Sequence, residues 1–154
     1  MIQTFERQQM KKDLKFFLTG RLQSQELYLV FKSYDVVGDI AVIRVPETLE
    51  QRSQIVAEAI MQMHKNVRTV LLQTSPVSGD FRVRQLEWVA GERKTTTVHK
   101  EFGCFFEVDL EKCYFSPRLS FERRRIASLV QPREVVVNMF AGVGCFSIVM
   151  AKYS

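Results

Sequence analysis

Two short stretches near the end of the chain hold the residue types most able to do chemistry. The first is Glu122 followed by Arg123, Arg124 and Arg125, a carboxylate beside three fixed cations. The second is Gly142-Val143-Gly144, which comes straight after the apolar run Val135-Val136-Val137-Asn138-Met139-Phe140-Ala141. A carboxylate can take up a proton, and guanidinium groups hold anions. A Gly-x-Gly turn between a strand and a helix brings backbone N–H groups up to an anionic or carboxylate-bearing cofactor. Each stretch also has a plainer reading. Glu122 suits the first turn of a helix, where the macrodipole and a neighbouring arginine favour it. The glycines suit any tight strand-to-helix turn. A dinucleotide fingerprint would need a third small residue, a place Ser147 fills only loosely, and an acidic residue about 20 positions on, past Ser154.

The elements that must position these groups can be read from the same stretch. Ser116 is a good N-cap and Pro117 a good first helical residue. Leu119, Ile126, Leu129 and Val130 give that helix an apolar stripe, and Gln131-Pro132-Arg133-Glu134 ends it. The β-branched run at 135–140 predicts a strand buried on both faces. Residues 146–153 return to helical composition.

FSPRLSFERRRIA followed by VVVNMFAGVGCFSI resembles the tRNA (guanine(37)-N(1))-methyltransferases of the archaeal and eukaryotic type and their wybutosine-pathway relatives. The resemblance continues upstream through YDVVGDIAVIRVPE, SGDFRVRQLEWVAGE and TVHKEFGCFFEVDLEKCYF, in the family's order. It implies a class I enzyme that carries a methyl group from S-adenosylmethionine to N1 of the guanosine 3′ to the anticodon of tRNA. It also implies roles. Glu122 is the base that takes the N1 proton, and Arg82 stabilises charge on O6, with Arg84 on the same strand face. Tyr114 and Arg123 meet the donor, and Asn138, Phe140, Ala141, Gly142, Val143 and Gly144 form the loop against its methionine end. Two positions depart from the family: Asn138 stands where Asp is usual, and Cys145 where Pro is usual. Asn138 offers the donor's ammonium no carboxylate, so weaker donor binding is expected. Two other readings stand beside this one. One is a wybutosine-type aminocarboxypropyltransferase, which uses the same donor. The other is a non-catalytic RNA-binding module derived from the family.

Composition fits this frame. The 154 residues are 46% hydrophobic and 25% charged, as in soluble globular chains, and a net charge of +5 suits a polyanionic partner. Three widely spaced cysteines argue against a disulfide scaffold, and no spacing suits a metal. There is no secretion signal and no apolar run of about 18 residues, so a cytoplasmic protein without a membrane segment is expected.

Three regions follow. Residues 1–33 form an extension with a helix ending near Gly20 and a strand at 25–32. Residues 34–112 form an α+β domain, with strands at 40–45, 67–73, 81–89 and 104–110 and one amphipathic helix over 50–65. Within it, Ala90-Gly91-Glu92-Arg93 predicts a hairpin whose second strand, 95–99, pairs back. Residues 113–154 begin an α/β, Rossmann-like methyltransferase domain that the chain leaves incomplete. The 154 residues alone are expected to be inactive, and the strand at 135–140, lacking neighbours, is expected to drive self-association.

Overall fold

The computed structural model describes residues 13–75 and 84–153. It opens with two short helices, α1 (Leu14–Leu18) and α2 (Ser24–Leu29). Asp13 caps α1, its carboxylate accepting the Phe16 N–H at 3.0 Å. The strand expected at 25–32 is therefore not formed, since α2 occupies most of that segment. Glu26 accepts the Gln23 N–H at 2.8 Å, closing the first turn, and Leu27 packs on the core from one side only. A local cap and a one-sided apolar contact suit a helix better than a strand with nothing beside it.

The central element is a four-stranded sheet in the order β1 (Asp35–Val37), β2 (Ile40–Ile43), β3 (Thr69–Gln73), β4 (Leu86–Gly91). β1 and β2 are antiparallel, as are β3 and β4, while β2 and β3 run parallel. Parallel neighbours need a crossover. Here it is a 3-10 turn (Glu47–Arg52) followed by α3 (Ser53–Met63), the amphipathic helix that the sequence predicts. Its Val56, Ala59 and Ile60 are buried against one face of the sheet.

Strand periodicity then divides the core in two. Ala41, Ile43, Val70 and Leu72 point to the side of α1 and α3, whereas Ile40, Val42 and Leu71 point to the other side. That second face is covered by a separate hairpin, β5 (Thr96–Glu101) and β6 (Cys104–Asp109), and by two helices, α4 (Ser120–Ala127) and α5 (Cys145–Tyr153). The Phe102-Gly103 turn of the hairpin has positive φ at both residues, 48° and 68°, the handedness that matches the twist of paired strands.

Residues 81–83 of the strand expected at 81–89 lie outside the described residues; among those described, the hairpin expected with 95–99 is not formed. β4 pairs with β3, and β5 pairs with β6. The inward residues Thr97, Glu101, Cys104, Phe106 and Val108 are buried only when this pair lies across the sheet, which decides the pairing.

α4 follows a 3-10 turn (Pro117–Leu119), with Ser116 at the N-cap position though its side chain makes no capping bond. α5 is tied to the hairpin turn by Lys152 Nζ, which donates to Gly103 O at 2.7 Å, and Tyr153 OH, which donates to Phe102 O at 2.8 Å. Between α4 and α5, residues 135–140 form no strand, contrary to the expectation. Val135 is 88% exposed and Val137 79%. No described strand lies beside them to take their N–H and C=O groups. The architecture is α+β. Among the described residues, no helix is long and apolar enough to cross a membrane.

Candidate functional site

A cavity of about 740 Å³ opens where residues 112–116 pass the glycine loop. Tyr114 and Arg123 form one side, and Phe140, Ala141, Gly142 and Val143 the other. Six of the sequence-predicted site residues are thus brought together from two separated stretches. Gly142 and Gly144 have φ of +54° and +78°, a left-handed turn that side-chain-bearing residues rarely adopt. Gly144 N–H donates to Ala141 O at 2.8 Å, and its own carbonyl accepts the Ile148 N–H at 2.8 Å, so the loop runs straight into α5. Asn138 lies off the cavity wall and fastens the loop. Its Oδ1 accepts the Phe140 N–H at 3.3 Å, and its Nδ2 donates to Ser147 Oγ at 3.0 Å.

Arg123 is 2% exposed. Its Nε donates to Glu101 Oε1 at 2.6 Å and its Nη2 to Glu101 Oε2 at 3.1 Å, while Nη2 also reaches Ser116 O at 2.9 Å. The guanidinium also lies 5.1 Å from the centre of the Phe115 ring. Arg123 therefore joins α4 to β5 and holds the carbonyl of Ser116 beside the cavity. The pair continues to His99, whose Nε2 is 3.7 Å from Glu101 Oε2 and whose Nδ1 accepts the Gly38 N–H at 3.1 Å. That backbone donor assigns the ring proton to Nε2. Burial pushes the imidazole below its ordinary value and Arg123 adds to this, against the pull of Glu101, so the ring is neutral at pH 7.

Glu122 lies elsewhere. It is half-exposed, off the cavity wall, and gripped by Arg125, whose Nη2 and Nε donate at 2.7 and 2.8 Å. Those bonds hold its carboxyl below the usual range. Arg82 lies outside the described residues. Arg84 is described and nearly buried, its Nη2 donating to Phe115 O at 3.1 Å and its Nη1 to Gln73 Oε1 at 3.4 Å.

Sequence reasoning missed Glu101, the buried partner of Arg123. The alternation of β5 carried the signal, since Thr97, His99 and Glu101 fall on one face. It also missed that Cys113 and Cys145 both line the cavity. Burial pushes both thiols up, so they stay protonated near pH 7 and are poor nucleophiles. Among the described residues no cluster suits a metal ion.

The TRM5/TYW2 methyltransferase domain model matches residues 97–154, and the TYW2 N-terminal domain model matches residues 14–95. The tRNA (guanine(37)-N(1))-methyltransferase Trm5b of Pyrococcus abyssi is 46% identical over 120 residues, covering 78% of this chain and 36% of the relative. The tRNA(Phe) (4-demethylwyosine(37)-C(7)) aminocarboxypropyltransferase of Methanocaldococcus jannaschii is 35% identical over 121 residues, covering 79% of this chain and 46% of the relative. The solved complex of aTrm5 with tRNALeu superposes with a TM-score of 0.81 at 39% identity, over 91% of this chain and 42% of that one. The chain thus spans well under two thirds of the relatives it matches. With both halves matched in order, and with the folded core shared with a solved member, the chain belongs to the TRM5/TYW2 methyltransferase family.

Proposed function

We propose that this chain supplies the RNA-facing unit and the donor loop of a tRNA methyltransferase acting on N1 of the guanosine 3′ to the anticodon, with S-adenosylmethionine as donor. The observation that carries this reading is the cavity, where Tyr114 and Arg123 meet the loop 140–143 although they are distant in sequence. Its residues fit the methionine end of that donor. The left-handed glycine loop allows close backbone approach, Tyr114 and Phe140 offer apolar surface, and the Ser116 carbonyl held by Arg123 can accept from an ammonium group. When bound, the donor supplies an electrophilic methyl group on a sulfonium. In this reading residues 34–112 face the RNA and residues 113–154 open a Rossmann-like domain.

The remaining tasks fall to this chain's side chains. N1 of guanine carries a proton and lacks a lone pair suited to attack, so a base must remove that proton. Glu122 takes this role and Arg82 offsets the charge that grows on O6. Glu122 must first leave Arg125, and RNA phosphates arriving at α4 compete for that guanidinium. Asn138 gives the donor no carboxylate and is already bonded to Ser147, which weakens donor binding.

The test is single-turnover transfer of labelled methyl to tRNA transcripts by the protein extended to its relatives' length. Glu122→Gln should slow transfer by about 10²-fold or more, in the range for loss of a general base, with donor and tRNA affinity little changed. An unchanged rate would remove Glu122 from the role. A second reading is favoured by the match of residues 14–95 to the TYW2 N-terminal domain, and is transfer of an aminocarboxypropyl group instead. The mass of the modified nucleoside separates the two.

A further inference from the structure

A second cavity, of about 250 Å³, lies between the start of β1, the end of β2 and residues 114–118. Its chemistry differs from that of the donor cavity. Arg44, Arg84 and Arg118 line it, against the single carboxylate of Asp35. Asp35 accepts Arg118 Nε at 2.8 Å and lies 3.7 Å from Arg84 Nη1. Arg84 is further held by Gln73 and by the Phe115 carbonyl. Arg44 follows β2 at the rim, is exposed, and makes no ion pair among the described residues. Two guanidiniums thus share the one carboxylate, and a third lines the cavity without pairing to it.

The excess positive charge, the planar donors and the small volume together select a ligand. Guanidinium forks match the oxygens of a phosphate, and the cavity lies below the range of about 300–1,000 Å³ typical of whole small-molecule ligands. It suits one phosphodiester group. Tyr114 and Ser116 line both this cavity and the donor cavity, so a group bound here is separated from the donor loop by only that strip.

We infer that the Arg44–Arg84–Arg118 cavity is the subsite for an RNA backbone phosphate flanking the target nucleoside, with Asp35 positioning Arg84 and Arg118. The inference rests on the function proposed above and adds the group that registers the RNA against the donor. Arg44 is the contact to test, because it is exposed and its truncation leaves every bond described here intact.

The experiment measures binding of an anticodon stem-loop RNA to the 154-residue chain by fluorescence anisotropy over a series of salt concentrations. Arg44→Ala should weaken binding several-fold and reduce the slope of log K against log salt by about 0.7, the value for one phosphate of a single strand. Arg52→Ala, whose partner Glu26 lies on the helical side, should change neither. A single methylphosphonate beside the target guanosine should weaken binding to the unsubstituted chain but not to Arg44→Ala. Equal loss in both proteins, or an Arg44→Ala chain with unchanged affinity and slope, would overturn the subsite and leave the proposed function standing. Failure of the unsubstituted chain to bind the RNA at any salt would likewise overturn the subsite, while the proposed function stands or falls on methyl transfer by the extended protein.

Discussion

Residues 40–43 and 135–140 are written in the same alphabet, β-branched and apolar with hardly a polar interruption, yet they end in opposite environments. Every residue of β2 is buried, hydrogen-bonded to β1 on one edge and β3 on the other, and its side chains alternate between two cores. Residues 135–140 have no such neighbours among the described elements, and Phe140 is 90% exposed. Composition makes a segment willing to be a strand, but only partners on its edges pair its backbone groups. The consequence reaches the candidate site. Its two walls are anchored differently: residues 112–116 lie against the buried hairpin, whereas the glycine loop is held by the half-buried Val143 and through α5, whose Val149 and Met150 lie in the second core.

The bolt between α4 and the buried hairpin is the Glu101–Arg123 pair, and breaking it should have the largest effect. Glu101→Leu strands a buried guanidinium and should cost about 3–5 kcal/mol in urea unfolding. Adding Arg123→Met should recover much of that, since no charge is then left unpaired. A small loss for Glu101→Leu alone would mean that α4 is not held by this pair.

The comparison itself is tested by matched truncations. Ile43→Ala removes a fully buried side chain and should cost about 2–5 kcal/mol. Val137→Ala should stay within about 0.5 kcal/mol, as for an exposed position. Equal costs would show that the two segments are equally packed in solution. The same exposure makes 135–140 an association hazard. Sedimentation should show self-association that Val137→Lys reduces without changing the unfolding midpoint.

The smallest effect sharpens the link through His99. Burial lowers its proton affinity in the folded state, so the unfolded chain binds the proton more readily. Stability from this group is therefore fully present above the ordinary value of 6.5 and is lost as pH falls through the lower folded value. Melting temperatures should fall between pH 7 and pH 5, and His99→Gln should flatten that slope. A slope unchanged by the substitution would place the titration elsewhere.

Legibility followed the range of the interactions involved. The amphipathic pattern of residues 55–63 identified α3, and its apolar side was correct, because a helix satisfies its backbone locally and needs the core only for one face. Strand pairing was not local: residues 86–91 and 96–101 could each have joined several edges, and burial of Thr97 and Glu101 chose between them. In the site, the motifs around Tyr114, Glu122 and Gly142 named candidates that the resemblance made specific. They could not show that Arg123 is locked to Glu101 or that Arg125 clasps Glu122.

By itself the sequence determined the α+β class, the long amphipathic helix, the Gly-x-Gly turn and the family, since these depend on periodicity, on residues that permit a tight turn, and on motifs in order. Tertiary structure alone decided that β2 is a strand and 135–140 is not. It also decided that the hairpin closes the second core, and that one arginine is buried in a pair while its neighbour Arg124 lies 3.7 Å over the Tyr153 ring at the surface. Such outcomes depend on which partner reaches a group first and excludes water from it, and the partners lie in distant parts of the chain.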